Sequence, residues 1–226
     1  YKRKIIALLP ANEQGKALVS HGGLTYGGLI TGASMSAALM LDVFDALIEY
    51  LVASGFGTLV YKPVPHIFHQ YPAEEDVYAL LRRGARQVGF DLSMAFAPNQ
   101  SLGFSASKRR GVRKAEAAGL IVRESRDFAA YWKILSARLD EAYSVAPTHR
   151  LEEIELLVSR FPNQIRLFVS GASNDPKAGV VVFDCPPVAH VQYIATTAEG
   201  RKICALDQVI DAVRAENSDR RCINLR

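Results

Sequence analysis

In the second half of the chain, apolar positions recur with helical spacing in some stretches and crowd into short runs in others. Phe128, Tyr131, Trp132, Leu135 and Leu139 fall at i, i+3, i+4, i+7 and i+11, so a helix over 127–143 would present an aromatic-rich buried face. Leu151, Ile154, Leu157 and Val158 mark a second helix, with Thr148 as its expected cap, and Leu206, Val209, Ile210 and Val213 mark another. Residues 165–170, 178–184 and 188–195 are apolar runs of strand length. The first two are parted by the turn residues of 171–176, and 222–225 begins a further strand. The expected order is two helices, three antiparallel strands, a helix and a strand.

The first half reads differently. Runs at 5–9 and 16–20 flank the polar turn Asn12-Glu13-Gln14-Gly15, which predicts an antiparallel hairpin. The glycine-rich stretch 21–32 leads through Ser34 or Ser36 as N-cap into a helix carrying Leu39, Val43, Phe44, Leu47 and Leu51. Those glycines either present backbone N–H groups to a phosphate or permit tight turns and close packing. Neither GxxxxGK[ST] nor GxGxxG spacing is present. Residues 58–65 form a strand with prolines at its end, 72–86 a helix with acidic residues first and arginines last, and 88–96 a strand.

A basic helix over 108–118 stands between the halves and ends at Gly119, a left-handed C-cap. Lys108, Arg109, Arg110, Arg113 and Lys114 cover most of it, and Val112, Ala115 and Leu120 are the buried edge. Because the helix and strand pattern starts afresh after it, we read two domains, 1–106 and 107–226.

Composition narrows the partners. Of 226 residues, 49% are hydrophobic and 22% charged, which suits a buried globular core and excludes disorder. The net charge of +4 favours an anionic partner, but its concentration in one helix weighs against a general nucleic-acid coat. Cys185, Cys204 and Cys222 are widely spaced without CxxC, so we expect neither disulfides nor zinc, and a reducing cytoplasm. His66-x-x-His69 has no carboxylate or cysteine beside it, so no metal is expected there. A G-x-S-x-G elbow is missing. The most apolar helix, 36–52, is broken by Asp42, Asp45 and Glu49, so no membrane span is expected. The chain enters a strand soon after Tyr1 and stops in one near Arg226, and both ends read as cut.

Arg109-Arg110, Lys114-Ala115, Gly119 and the alternating Leu120 and Val122 resemble the linker helix of the Fem-type transferases, which are built from two tandem GNAT-like acyltransferase domains. The element order of the second half resembles the GNAT core as well. The resemblance implies an α/β fold of mixed α+β kind, with tandem GNAT-like domains of mainly antiparallel sheet flanked by helices, the first lacking its N-terminal helices. It implies transfer of an acyl group, such as acetyl, from acyl-CoA (acetyl-CoA) to an amine acceptor. Two alternatives stand beside that: Fem-type transfer from aminoacyl-tRNA onto a cell-wall precursor, and a non-catalytic protein that keeps the fold to bind an anionic ligand.

The resemblance also places the chemistry. The carrier's pyrophosphate would meet the loop 196–205, where Thr197, Gly200, Arg201, Lys202 and Ala205 are the cofactor-binding candidates and Gly200 keeps the family's glycine. The strand at 188–195 would line the cleft, with His190 as base and Tyr193 as proton donor to the leaving group. Strict alternation puts His190 with Gln192 on one face, and Ala189, Val191 and Tyr193 on the other. His21 and Tyr26, in a polar set with Lys62, His66 and His69, together with Arg109, Arg110 and Arg113, are the substrate-binding candidates. The same arginines serve equally as a solvated face.

Overall fold

In the computed structural model, which describes residues 4–20, 22, 25–99, 104–172 and 174–225, the chain divides between Asp91 and Leu92. The first unit contains β1 (Ala7–Leu8), β2 (Ala11–Gln14), β3 (Ala17–Ser20), β4 (Ile30–Thr31), α1 (Ala37–Ala53), β5 (Thr58–Val60), a 3₁₀ turn at His66–Phe68 and α2 (Glu75–Arg82). The second contains β6 (Met94–Phe96), α3 (Ala106–Ala117), β7 (Val122–Ser125), α4 (Phe128–Tyr143), α5 (Leu151–Arg160), β8 (Ile165–Ala172), β9 (Asp175–Cys185), β10 (Val188–Thr196), α6 (Ala198–Lys202), α7 (Ala205–Glu216) and β11 (Cys222–Leu225).

In the first unit, β2 and β3 pair antiparallel and β5 joins β3 in parallel, with α1 making the crossover. The polar residues expected as the hairpin turn are instead strand: Asn12, Glu13 and Gln14 are β2, and the chain reverses at Gly15, where φ is +59°. An exposed ribbon accepts polar side chains, so composition misled there. Ser36 caps α1 by accepting from the Leu39 N–H at 3.3 Å, and Met40 and Phe44 bury against Ala79 of α2. The Tyr61 hydroxyl accepts from Leu29 N–H at 2.8 Å and donates to Asp76 at 2.6 Å; burial and that carboxylate hold its pKa well above the ordinary tyrosine value. A Cβ on Gly28 would stand 3.0 Å from that hydroxyl, so this glycine is set by close approach.

The second unit is a six-stranded sheet in the order β6-β11-β10-β9-β8-β7. Strands β7 to β10 run antiparallel to their neighbours, and β10 and β11 are parallel. Each face carries its own core. Phe128, Tyr131, Trp132 and Leu135 of α4 and Ile154 of α5 cover Leu167, Val169, Val181, Tyr193 and Ala195 on one side. Ala205, Val209 and Val213 of α7 cover Phe168, Val180, Val182, Ala189, Val191 and Ile223 on the other. Each large side chain so buried contributes about 1.5–3 kcal/mol.

Three differences from the sequence reading have local causes. The predicted strand 88–96 is regular only at Met94–Phe96, where β6 pairs antiparallel with β11, so this strand belongs to the second unit and the division falls earlier than 106/107. Val88, Phe90 and Leu92 alternate as a strand would, yet no strand pairs with them among the described residues. The cap of α5 is Arg150, not Thr148: the Glu153 carboxylate accepts from the Arg150 N–H at 2.8 Å. No helix among the described residues is long and apolar enough to cross a membrane.

Helix α4 sits on β9 through Gly179, where a Cβ would come within 2.9 Å of two Tyr131 ring carbons and 3.0 Å of the Phe168 carbonyl oxygen. Gly179→Ala therefore destabilises the protein by about 2–3 kcal/mol through overpacking. Gly15→Ala, with open space but a left-handed φ, costs about 1 kcal/mol. Urea denaturation of the two variants checks both the order and the gap.

Candidate functional site

The site grows from one irregularity in β10. Along β9, Val191 pairs with Val182 and Tyr193 pairs with the next residue, Val181, so Gln192 is an extra residue, a β-bulge. The bulge resets the alternation. His190 stands opposite Phe183 and Tyr193 opposite Val181, which puts both on the sheet face covered by α4 and α5. The expectation that Tyr193 shares a face with Ala189 and Val191 is thereby corrected, since those two lie under α7. On its other edge β10 pairs in parallel with β11 from Val188, opposite Cys222, to Val191, opposite Leu225, the last described residue.

Tyr193 is 7% exposed and packs edge-on against Trp132, with ring centroids 5.1 Å apart. Its hydroxyl accepts from the His149 backbone N–H at 3.3 Å and lies 2.5 Å from His149 Nδ1. His149 is held from behind, because the Trp132 indole N–H donates to its carbonyl at 3.1 Å. Burial lowers the His149 pKa from the ordinary histidine value, partly opposed by Glu153. A neutral imidazole follows at pH 7, and since Nδ1 faces the phenol O–H, the ring proton sits on Nε2. Sequence reasoning missed His149. The only available signal was a titratable residue at the end of the polar loop between two predicted helices.

His190 is 4% exposed and lies between two amide side chains: Nδ1 is 2.7 Å from Asn224 Oδ1, and Nε2 is 2.9 Å from Gln192 Oε1. Asn224 is fixed in turn, donating from Nδ2 to Ser93 Oγ and to the Met94 carbonyl, both at 3.2 Å.

The loop leaving β10 is closely packed. A Cβ on Gly200 would overlap the Lys177 carbonyl oxygen, so β9 lies directly against this glycine. That same carbonyl accepts from Thr197 N–H at 2.9 Å and from the Thr196 and Thr197 hydroxyls at 3.1 and 3.2 Å. Thr197 Oγ caps Gly200 N–H at 2.9 Å. Arg201 is exposed, reaching the Thr196 carbonyl at 3.4 Å and Glu141 at 3.7 Å. Lys202 is exposed, and Ala205, the first residue of α7, is buried in the core.

Helix α3 begins slightly before its predicted start, capped by Ser105, and ends at Gly119 with φ +77° as expected. It packs on α7 through Gly111, where a Cβ would overlap the Asp207 carboxylate. Lys108 pairs with that carboxylate at 2.6 Å, in the first turn of α7. Arg109 donates to the Phe104 carbonyl at 2.5 Å. Arg110, Arg113 and Lys114 are exposed and make no ion pair among the described residues. Of the other candidates, His21 lies outside the described residues, and Tyr26 packs against Phe68 with centroids 5.0 Å apart. His69 Nε2 is 3.0 Å from the Val64 carbonyl oxygen, and no group of three metal-ligating side chains occurs among the described residues. A groove of about 320 Å³ beside β7 is spanned by Arg166, which stacks on Phe168 and pairs with Glu124 and Glu216.

No protein-family description matches the chain, and no curated protein matches it. Solved structures do. The chain is similar to the C-terminal domain of a protein described as a lysylphosphatidylglycerol synthetase from Agrobacterium fabrum, with a TM-score of 0.62 and 10% identity, over 97% of this chain and 67% of that one. It is similar to L-PGS from Bacillus licheniformis, at 0.65 and 10%, over 97% of this chain and 64% of that one. It is similar to FemX, at 0.61 and 10%, over 89% of this chain and 72% of that one. The chain thus spans about two thirds of the length of the first two. These likenesses show the fold: α/β of mixed α+β kind, with antiparallel and mixed sheets flanked by helices.

The lowered His149 pKa fixes a pH dependence. Between it and the unfolded value of about 6.5 the unfolded chain binds more protons, so stability present above that window is lost as pH falls through the folded value. Urea midpoints measured from pH 7.5 to 5 fall more steeply in the wild type than in His149→Gln.

Proposed function

We propose that this protein is an acyltransferase that moves an acyl or aminoacyl group from a phosphate-bearing carrier onto an amine. The observation that carries the reading is the hydrogen-bonded Tyr193–His149 pair, which the Gln192 bulge of β10 sets on the sheet face covered by α4 and α5. A Tyr193 hydroxyl backed by a neutral imidazole can pass a proton between the attacking amine and the leaving group, with His149 as the proton reservoir. Direct attack by the bound amine on the carbonyl needs no enzyme nucleophile, so positioning supplies much of the acceleration.

Two donors compete. For acyl-CoA, the pyrophosphate would lie on the loop into α6 and α7, but the Thr197 and Gly200 N–H groups there are already committed to Lys177 and Thr197. For aminoacyl-tRNA, Arg110, Arg113 and Lys114 on α3 offer free cations on the helix that packs against the first turn of α7. That contrast, with the likeness to FemX, favours the charged tRNA. A cell-wall precursor amine is the acceptor this reading implies.

Thermal unfolding with each donor, alongside mass detection of the acylated amine, tests the choice. At a hundred times its Kd a donor stabilises by about 2.7 kcal/mol. We expect charged tRNA to raise the midpoint and acetyl-CoA to leave it unchanged. A shift with acetyl-CoA alone reverses the donor assignment. Binding without product from any acceptor amine leaves a non-catalytic anion-binding protein.

Arg110→Ala combined with Arg113→Ala is expected to keep the wild-type unfolding midpoint within about 0.5 kcal/mol, as exposed substitutions do. It should weaken tRNA binding and flatten the salt dependence by about one phosphate contact per arginine. Filter binding across a salt series measures both.

A further inference from the structure

We infer that Tyr131 is a positioning residue for the Tyr193–His149 pair: its buried hydroxyl turns its dipole toward the Tyr193 oxygen and steadies that oxygen when it carries negative charge. The role in transfer rests on the acyltransferase reading above; the electrostatic link between the two phenols does not. In the sheet, Gly179 of β9 stands opposite Ala195 of β10, and Val181 stands opposite Tyr193. Gly179 is therefore the diagonal neighbour of Tyr193 on the face covered by α4 and α5. Having no side chain, Gly179 leaves room there, and the Tyr131 ring takes it: a Cβ on Gly179 would stand 2.9 Å from two of its carbons. Trp132 closes the cluster, edge-on to Tyr131 with centroids 6.1 Å apart and to Tyr193 with centroids 5.1 Å apart.

A phenylalanine would fill the same space without burying a polar group. Tyr131 is 0% exposed, and its hydroxyl has no hydrogen-bond partner among the described residues. A buried hydroxyl in that state costs folding free energy and returns nothing to the fold. Its O–H is uncommitted and can rotate about the C–O bond to meet a new charge. Burial holds the Tyr131 pKa well above the ordinary tyrosine value and Tyr193 raises it further, so Tyr131 keeps its proton while Tyr193 ionises. In the transfer, Tyr193 gives its proton to the leaving group and takes one from the attacking amine, so its oxygen is an anion between the two events. Inside an apolar core, a dipole aimed at that oxygen acts strongly. Of the charged groups on the elements packed there, Glu153 of α5 acts on His149, Lys177 of β9 is tied to Asp175 and Glu199, and Glu141 of α4 meets Arg201.

Two measurements test the link without a transfer assay. Tyr131→Phe should unfold at the same urea midpoint as the wild type or a higher one, because it removes a buried hydroxyl and no hydrogen bond. A lower midpoint means that the hydroxyl supports the fold, which overturns the inference. With difluorotyrosine incorporated in place of Tyr193, whose phenol ionises nearer neutral pH, fluorine NMR across a pH series reads the charge on that oxygen. We expect Tyr131→Phe to raise this pKa by about one, the lower end of what a hydrogen bond to a charged group contributes. An unchanged or lower pKa overturns the inference whether or not the chain transfers anything. With the donor that supports transfer, Tyr131→Phe should lower kcat about tenfold and leave the acceptor KM in place. An unchanged kcat overturns the positioning role. Absence of transfer by the wild type with every donor counts against the transferase reading alone, because the titration stands by itself.

Discussion

One extra residue in a central strand governs the rest of the second unit. With Gln192 inserted, β10 changes the side chains it shows to each helix layer partway along its length. Before the bulge, Ala189 and Val191 seat α7; after it, Tyr193 and Ala195 seat α4 and α5. A bulge sharpens the local twist of its strand. The same insertion aims the Tyr193 hydroxyl at His149 and sets Gln192 beside His190. Packing and chemistry share one cause.

Charged groups on the second unit are divided between those spent in ion pairs and those without one among the described residues. Lys177 is tied to Asp175 and Glu199, Lys108 to Asp207, and Arg166 to Glu124 and Glu216. Such exposed pairs contribute little to stability, typically below about 1 kcal/mol each, but they cancel charge locally. The outer face of α3 carries Arg110, Arg113 and Lys114, which make no ion pair among the described residues. Its attraction for a polyanion is screened over about 8 Å at physiological ionic strength, so it acts on a ligand already near the surface.

Much of this was legible from the residues alone. The aromatic face of α4, the strands β8 to β10, the core face of α7 and the Gly119 stop of α3 all follow from periodicity and cap chemistry, because each burial pattern is local. The site was less legible. A bulge leaves no trace in composition, so alternation assigned Tyr193 to the wrong face. His149 acquires its role through a residue 44 positions away, and Asn224 through contacts spanning 130 residues or more, which no local pattern encodes. Gly200 was read as a phosphate-facing glycine, while its immediate physical reason is the Lys177 carbonyl against it. In the first unit the polar residues of β2 resembled a turn because an exposed ribbon and a turn tolerate the same side chains.

Gly111 lets α3 lie against α7 with no side chain between its backbone and Asp207. A helix gripped that closely has little room to roll or slide, so the arginines rooted on it start from fixed origins even though their tips move. The spacing of Arg110, Arg113 and Lys114 along the helix is set by its rise of about 1.5 Å per residue. A single missing methyl group thereby turns a patch of charge into a ruler.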